Sequence, residues 1–150
     1  MIFSAALVAF GHYFAFFALT AALVLQIVLL TASPTIQIAK RIQRADRAYA
    51  LMALLVLVMG LLRVFYFEKG ADYYFGNSYF IIKLSLFVLV GLISAYPTIT
   101  YLGWNKAIKM GNAPELSIES ALNLRRALHY QLVGILGILF CASMMAHGIG

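Results

Sequence analysis

Four long, predominantly apolar runs, at residues 3–31, 47–67, 79–102 and 122–146, constrain this 150-residue chain more than any other feature. Each is long enough to cross a hydrocarbon core of roughly 30 Å as a helix, for which about 20 apolar residues suffice. In lipid, every backbone N–H and C=O must be satisfied within the protein, which leaves helices and closed barrels. None of the runs alternates with the two-residue period of a barrel strand, so all four read as helices. The composition agrees: 64% hydrophobic residues, 11% charged and a mean hydropathy of +0.94 exceed what a soluble core of this size needs. The expectation is an all-α, four-helix transmembrane bundle in a lipid bilayer, forming a single domain.

The net charge of +6 is distributed by loop. Lys40, Arg41, Arg44 and Arg47 lie between the first two runs, and Lys106, Lys109, Arg125 and Arg126 lie between the last two or at the edge of the fourth. The middle connection holds only Lys69, offset by Glu68 and Asp72. The positive-inside rule then places the first and third loops in the cytoplasm of a bacterial inner membrane, with both termini periplasmic. No aromatic-basic interleaving or nucleic-acid motif accompanies the charge, so no nucleic acid is expected as a partner. The first run has no positively charged n-region and is too long for an ordinary signal peptide, so it is expected to stay as helix one.

Two cations interrupt the apolar pattern. Arg63 lies about one turn before the second run ends, and Lys83 lies about one turn after the third begins, so a hairpin brings both to one depth. Charges at such depth are costly, roughly 2.5–3.5 kcal/mol at a helix centre and less toward the ends. Arg63 either reaches the interface or pairs with Glu68, or its planar fork binds a carboxylate at the mouth of a buried site. Lys83 has the same readings, and if desolvation makes it neutral its amine can also ligate iron. His12 lies about 13 Å below the outer surface by helical rise. It reads either as an interhelical hydrogen-bonding group or as a metal or haem ligand, with Phe16 and Leu19 following on its face.

Other polar residues in the runs have plainer readings. Gln26, His129 and Gln131 form an expected polar cluster at the inner side, with a second cofactor on His129 as the alternative. His129 lies roughly 15 Å or more in depth from His12, too far for the two to share one haem. His147 is expected in solvent. Met59 is a packing residue or, one turn from Arg63, a thioether ligand. Tyr73, Tyr74 and Tyr79 read as an interfacial belt, and Phe87, Gly91 and Ser94 as a stripe that admits a neighbouring helix. After Ser33-Pro34, the segment IQIAKRIQRADR reads as a short interfacial helix, Pro97 as a kink, and Ser117 or Ser120 as the N-cap of the last helix. A single cysteine, Cys141, excludes an intramolecular disulfide, and without a CxxCH motif any haem is noncovalent.

The tract GLLRVFYFEKG, the following YYFGNSYFIIKLSLFVLVGLISAYPT and the terminal MMAHGIG resemble an uncharacterised family of small bacterial four-helix membrane proteins over nearly the whole chain. More distantly, a histidine in helix one with a lysine opening helix three is similar to membrane protoporphyrinogen oxidases of the HemJ type and to copper-resistance membrane proteins. That likeness implies roles around haem for His12 and Lys83. Phenylalanines Phe14, Phe16 and Phe17 stand where a tryptophan would follow the histidine, and Ile81 stands where a histidine-x-lysine pattern has its histidine.

The resulting expectation is a b-type haem protein with His12 as axial ligand, Lys83 as second ligand or polar neighbour, and Arg63 as anion clamp. Its role would be electron transfer or a small redox conversion at the outer half of the membrane, with an unidentified electron donor or acceptor and a homodimeric assembly. A metal or small-solute transporter and a structural or assembly subunit are the alternatives. No nucleophile-base constellation, phosphate loop or paired buried carboxylates point to hydrolysis.

Overall fold

A computed structural model describes residues 2–150. The described residues form helices and no strand, in the order α1 (Ile2–Leu29), α2 (Ile36–Leu62), a π-helical turn (Arg63–Phe67), α3 (Ala71–Phe75), α4 (Ser78–Gly103), α5 (Asn105–Lys109) and α6 (Ile118–Ala146). Four of these, counting α2 with its π-turn and α4 with α5, are long and apolar enough to cross a membrane. The protein is a helical membrane bundle.

The helices begin where short polar side chains accept otherwise orphaned N–H groups. Thr35 accepts from Ile38 N at 3.3 Å, Asn77 from Phe80 N at 3.1 Å, and Ser117 from Ser120 N at 3.0 Å. Of the two serines offered by the sequence, Ser117 is therefore the cap of α6. α4 runs through Pro97 and ends at Gly103, within a residue of the end of the third apolar run.

The segment expected to lie on the membrane surface is instead the first part of α2. Ala39, Ile42, Ala45, Asp46 and Tyr49 recur at helical spacing and are all buried, so this face joins the core. Lys40, Arg41, Arg44 and Arg47 occupy the other side and are exposed. Polar contacts fix the seam. Gln43 Nε2 donates to the Tyr101 carbonyl at 2.6 Å and to Asn105 Oδ1 at 3.0 Å, and Thr98 Oγ1 donates to Asp46 Oδ1 at 3.0 Å.

Helices pair as two hairpins, α1 along α2 and α4 along α6, and the hairpins touch each other far less. Glycines set the spacing within each hairpin. A Cβ at Gly134 would collide with the Val90 side chain, and one at Gly137 would lie 3.1 Å from Leu86 Cδ1. Gly91, expected to admit a neighbour, faces open space; the close approach on this hairpin is made from α6. At the basic end the hairpins meet through Leu23, Tyr101, Leu124 and Leu128. His129 does not join Gln26 and Gln131. Those two are buried, whereas His129 is exposed and its Nδ1 bonds the Arg125 carbonyl of its own helix at 2.7 Å. His147 is exposed, as expected.

Candidate functional site

At the other end the hairpins part around a cavity of about 480 Å³. This is within the range of small-molecule sites, roughly 300–1,000 Å³. His12, Arg63 and Lys83 all line it, so the structure gathers the three residues singled out in the sequence. Phe16 shares the wall, while Leu19 turns into the core. Met59 packs against Gly11 and lies outside the lining. The α6 wall brings in Met145, a soft, polarisable side chain that sequence spacing had not connected to His12.

The orientation of His12 follows from α2. Gly60 leaves room for the imidazole; a Cβ there would stand 3.2 Å from His12 Cε1. One turn earlier, the Val56 carbonyl lies 3.0 Å from His12 Nδ1. A carbonyl can only accept, so Nδ1 carries the hydrogen, and in the neutral ring Nε2 keeps its lone pair. Metal-binding histidines have this same arrangement, with one nitrogen held by a backbone carbonyl and the other free to ligate.

Arg63 opens the π-helical turn, whose extra residue per turn displaces the side chains that follow from the α-helical register. Its Nε donates to Glu68 Oε1 at 2.6 Å, and Nη2 completes an ion pair with the same oxygen. The guanidinium also lies 5.1 Å from the centre of the Tyr13 ring, with Nη2 3.4 Å from the hydroxyl. The second carboxylate oxygen of Glu68 accepts from Tyr74 Oη. Burial pushes the Glu68 carboxyl up, but the hydrogen bonds from Tyr74 and Arg63 and the nearby cations outweigh it and hold it below the usual carboxylate range. Burial and the bond to Glu68 push the Tyr74 phenol up.

Tyr74 therefore leaves the expected aromatic belt: it is buried and points to Glu68. Tyr73 stays at the surface and accepts from Lys69 Nζ at 3.1 Å. Lys83 makes no ion pair among the described residues; its Nζ sits 5.1 Å from the Phe80 ring centre. Of four charged side chains at the cavity, one is acidic and paired, which leaves Lys69 and Lys83 as uncompensated cations. Only the Arg63–Glu68 pairing was open to sequence reasoning. The roles of Tyr13 and Tyr74 carried no signal, because aromatic residues near a membrane interface are common.

Among the described residues, no three histidine, cysteine, aspartate or glutamate side chains come together to cage a bare metal ion. A lone imidazole beside apolar walls and cations instead suits a ligand that brings most of its own metal donors and carries acidic groups. The site and fold thus define a four-span helical membrane protein with a polar-mouthed cavity between its hairpins. Residues 4–150 match the family described as "Predicted membrane protein (DUF2214)", and the chain belongs to that family. Comparison with curated proteins gives no match, and comparison with solved structures gives none either. The more distant likeness to HemJ-type oxidases and copper-resistance proteins has no support from these comparisons.

Proposed function

We propose that the protein is a membrane-embedded b-type haem protein, with His12 as axial ligand, Arg63 as an anion clamp for a haem carboxylate, and Lys83 as second ligand or polar neighbour. The observation that carries the proposal is the free Nε2 of His12, aligned by the Nδ1–H bond to the Val56 carbonyl. The donor set fits the group: one imidazole suffices when a macrocycle supplies four nitrogens, the walls are apolar, and the mouth is cationic. Bound haem would supply one-electron redox chemistry at the outer half of a bacterial inner membrane. The chain's own residues orient the imidazole, limit water and hold the acidic groups. Four helices leave part of a macrocycle uncovered, which favours a homodimer, and an electron donor or acceptor at the outer face completes the role.

The test is a reduced-minus-oxidised spectrum with pyridine haemochrome on protein purified in detergent, beside His12→Ala. Soret and b-type bands lost in the variant are expected. Porphyrin retained by His12→Ala, or a colourless wild type expressed with haem supplied, refutes the proposal.

A further inference from the structure

The cavity mouth already holds a carboxylate. Glu68 spans two donors, the Arg63 guanidinium on the π-turn and the Tyr74 hydroxyl on α3. That tether keeps the one planar, bidentate cation of the site turned toward its own loop, while Lys83 across the cavity has no acidic partner among the described residues. The Tyr74 end of the tether sits on α3, a helix of five residues entered through Gly70 at φ +86°, a conformation that favours glycine. Besides that tether, α3 is anchored by Tyr74, buried with Val64, Phe80 and Met145, by Phe75 with its ring centre 5.2 Å from that of Phe80, and by the bond from Lys69 to Tyr73.

We infer that Glu68 is a placeholder for the acidic group of the cavity's ligand: an amphiphile bearing carboxylates enters between the hairpins and takes the place of Glu68 on Arg63. Exchange of one carboxylate for another leaves the guanidinium paired throughout, so Arg63 is never stranded in an apolar wall. It also makes Glu68 a selectivity element. A ligand with an acidic group can displace it, whereas the corresponding ester has no charge with which to compete. Lys83 receives a second acidic group without displacing anything. The inference rests on the haem proposal only for the choice of probe, since any acidic amphiphile of suitable size would meet the same exchange.

The experiment uses the full chain in detergent micelles and compares wild type with Glu68→Gln, Tyr74→Phe and the double variant Arg63→Gln/Glu68→Gln beside Arg63→Gln. The probes are metal-free protoporphyrin IX and its dimethyl ester, followed by fluorescence, and haemin, followed by its Soret band. Glu68→Gln is expected to bind the diacid roughly tenfold more tightly, the difference between a charged and a neutral competitor on one guanidinium, and to leave the ester unchanged. Tyr74→Phe should give a smaller gain in the same direction, and decides the matter if Glu68→Gln fails to fold. In the Arg63→Gln background the gain should vanish. Equal or weaker binding of the diacid by folded Glu68→Gln overturns the exchange, as does failure of every variant to bind the diacid. The haem proposal fails separately: a Glu68-dependent diacid affinity without a His12-dependent Soret band from haemin removes the haem and leaves the exchange standing.

Discussion

Gly60→Ala tests whether the orientation of His12 is imposed by α2. The added Cβ would stand 3.2 Å from His12 Cε1, closer than ordinary van der Waals contact, so the ring must retreat by a few tenths of an ångström. The ring is held by the 3.0 Å bond from Nδ1 to Val56 O, near the middle of the hydrogen-bonding range, and retreat from α2 stretches that bond. Losing it would remove about 0.5–1.5 kcal/mol. Alanine in place of glycine within a helix returns about 0.8–1 kcal/mol. The two effects nearly cancel, so thermal stability in detergent should change by less than about 1 kcal/mol. Ligation should not be spared, because the imidazole loses its alignment: haemin affinity is expected to fall several-fold, with altered Soret intensity. Gly91→Ala, where a Cβ meets nothing within 4 Å, is the control and should leave the spectrum unchanged. A Gly60→Ala protein with wild-type haemin affinity and spectrum would refute the role assigned to the Gly60–His12–Val56 arrangement.

Gly134→Ala should lower the melting temperature, since its Cβ collides with Val90 at the tightest point of the α4–α6 seam and overpacking costs about 1–3 kcal/mol, more than the helix-propensity gain; Val90→Ala in the same chain should restore part of the loss. Thr98→Val leaves the buried Asp46 carboxylate without its donor and is expected to destabilise by about 1–3 kcal/mol in a detergent melt, whereas Thr98→Ser should be close to neutral. Because the folded state holds the Glu68 carboxyl below its unfolded value of about 4.3, the tether on α3 is fully present above that pH and is lost only as pH falls through the lowered folded value. Near-ultraviolet circular dichroism of the tyrosines should therefore stay constant as pH falls from 7 to that unfolded value and change only below it, and Glu68→Gln should abolish the change.

The four spans and the depth shared by Arg63 and Lys83 were legible because they depend on length, rise per residue and the expense of charge in lipid, all properties of one segment at a time. What depends on two segments was not. The amphipathic start of α2 has the pattern of a surface helix, and only the presence of α4 and α5 opposite it, with Tyr101 and Asn105 bonded to Gln43, turns its apolar face into an interhelical seam. Tyr74 has the sequence neighbours of a belt tyrosine, and its inward turn follows from Gly70, whose positive φ reverses the chain after Glu68. Gly91 and Gly134 look alike in sequence; which one admits a neighbour is set by how α4 and α6 are rotated. For His12 the interhelical hydrogen bond was one of two readings open in the sequence and is the one observed, but its partner, the Val56 carbonyl, and the ring nitrogen it engages belong to the pairing of α1 with α2.

The cavity's position has its own physical cause. Both glycine-spaced seams lie inside hairpins, Gly11 and Gly60 between α1 and α2, Gly134 and Gly137 between α4 and α6, so backbone approach is closest there. Between hairpins contact is sparse, and it includes the basic end, where Tyr101 and Trp104 lie in one core cluster with Leu23 and the fully buried Leu124 and Leu128, and where Gln43 bonds the Tyr101 carbonyl. Two stiff pairs joined at one end must separate at the other, and the separation exposes groups from both: His12 and Arg63 from the first pair, Lys83 and Met145 from the second. Lipid is a poor filling for such a gap, because its acyl chains offer nothing to Lys83 or to the free nitrogen of His12. A ligand that satisfies both bridges the two hairpins, and it then stabilises the bundle at the end where the protein alone makes the fewest contacts.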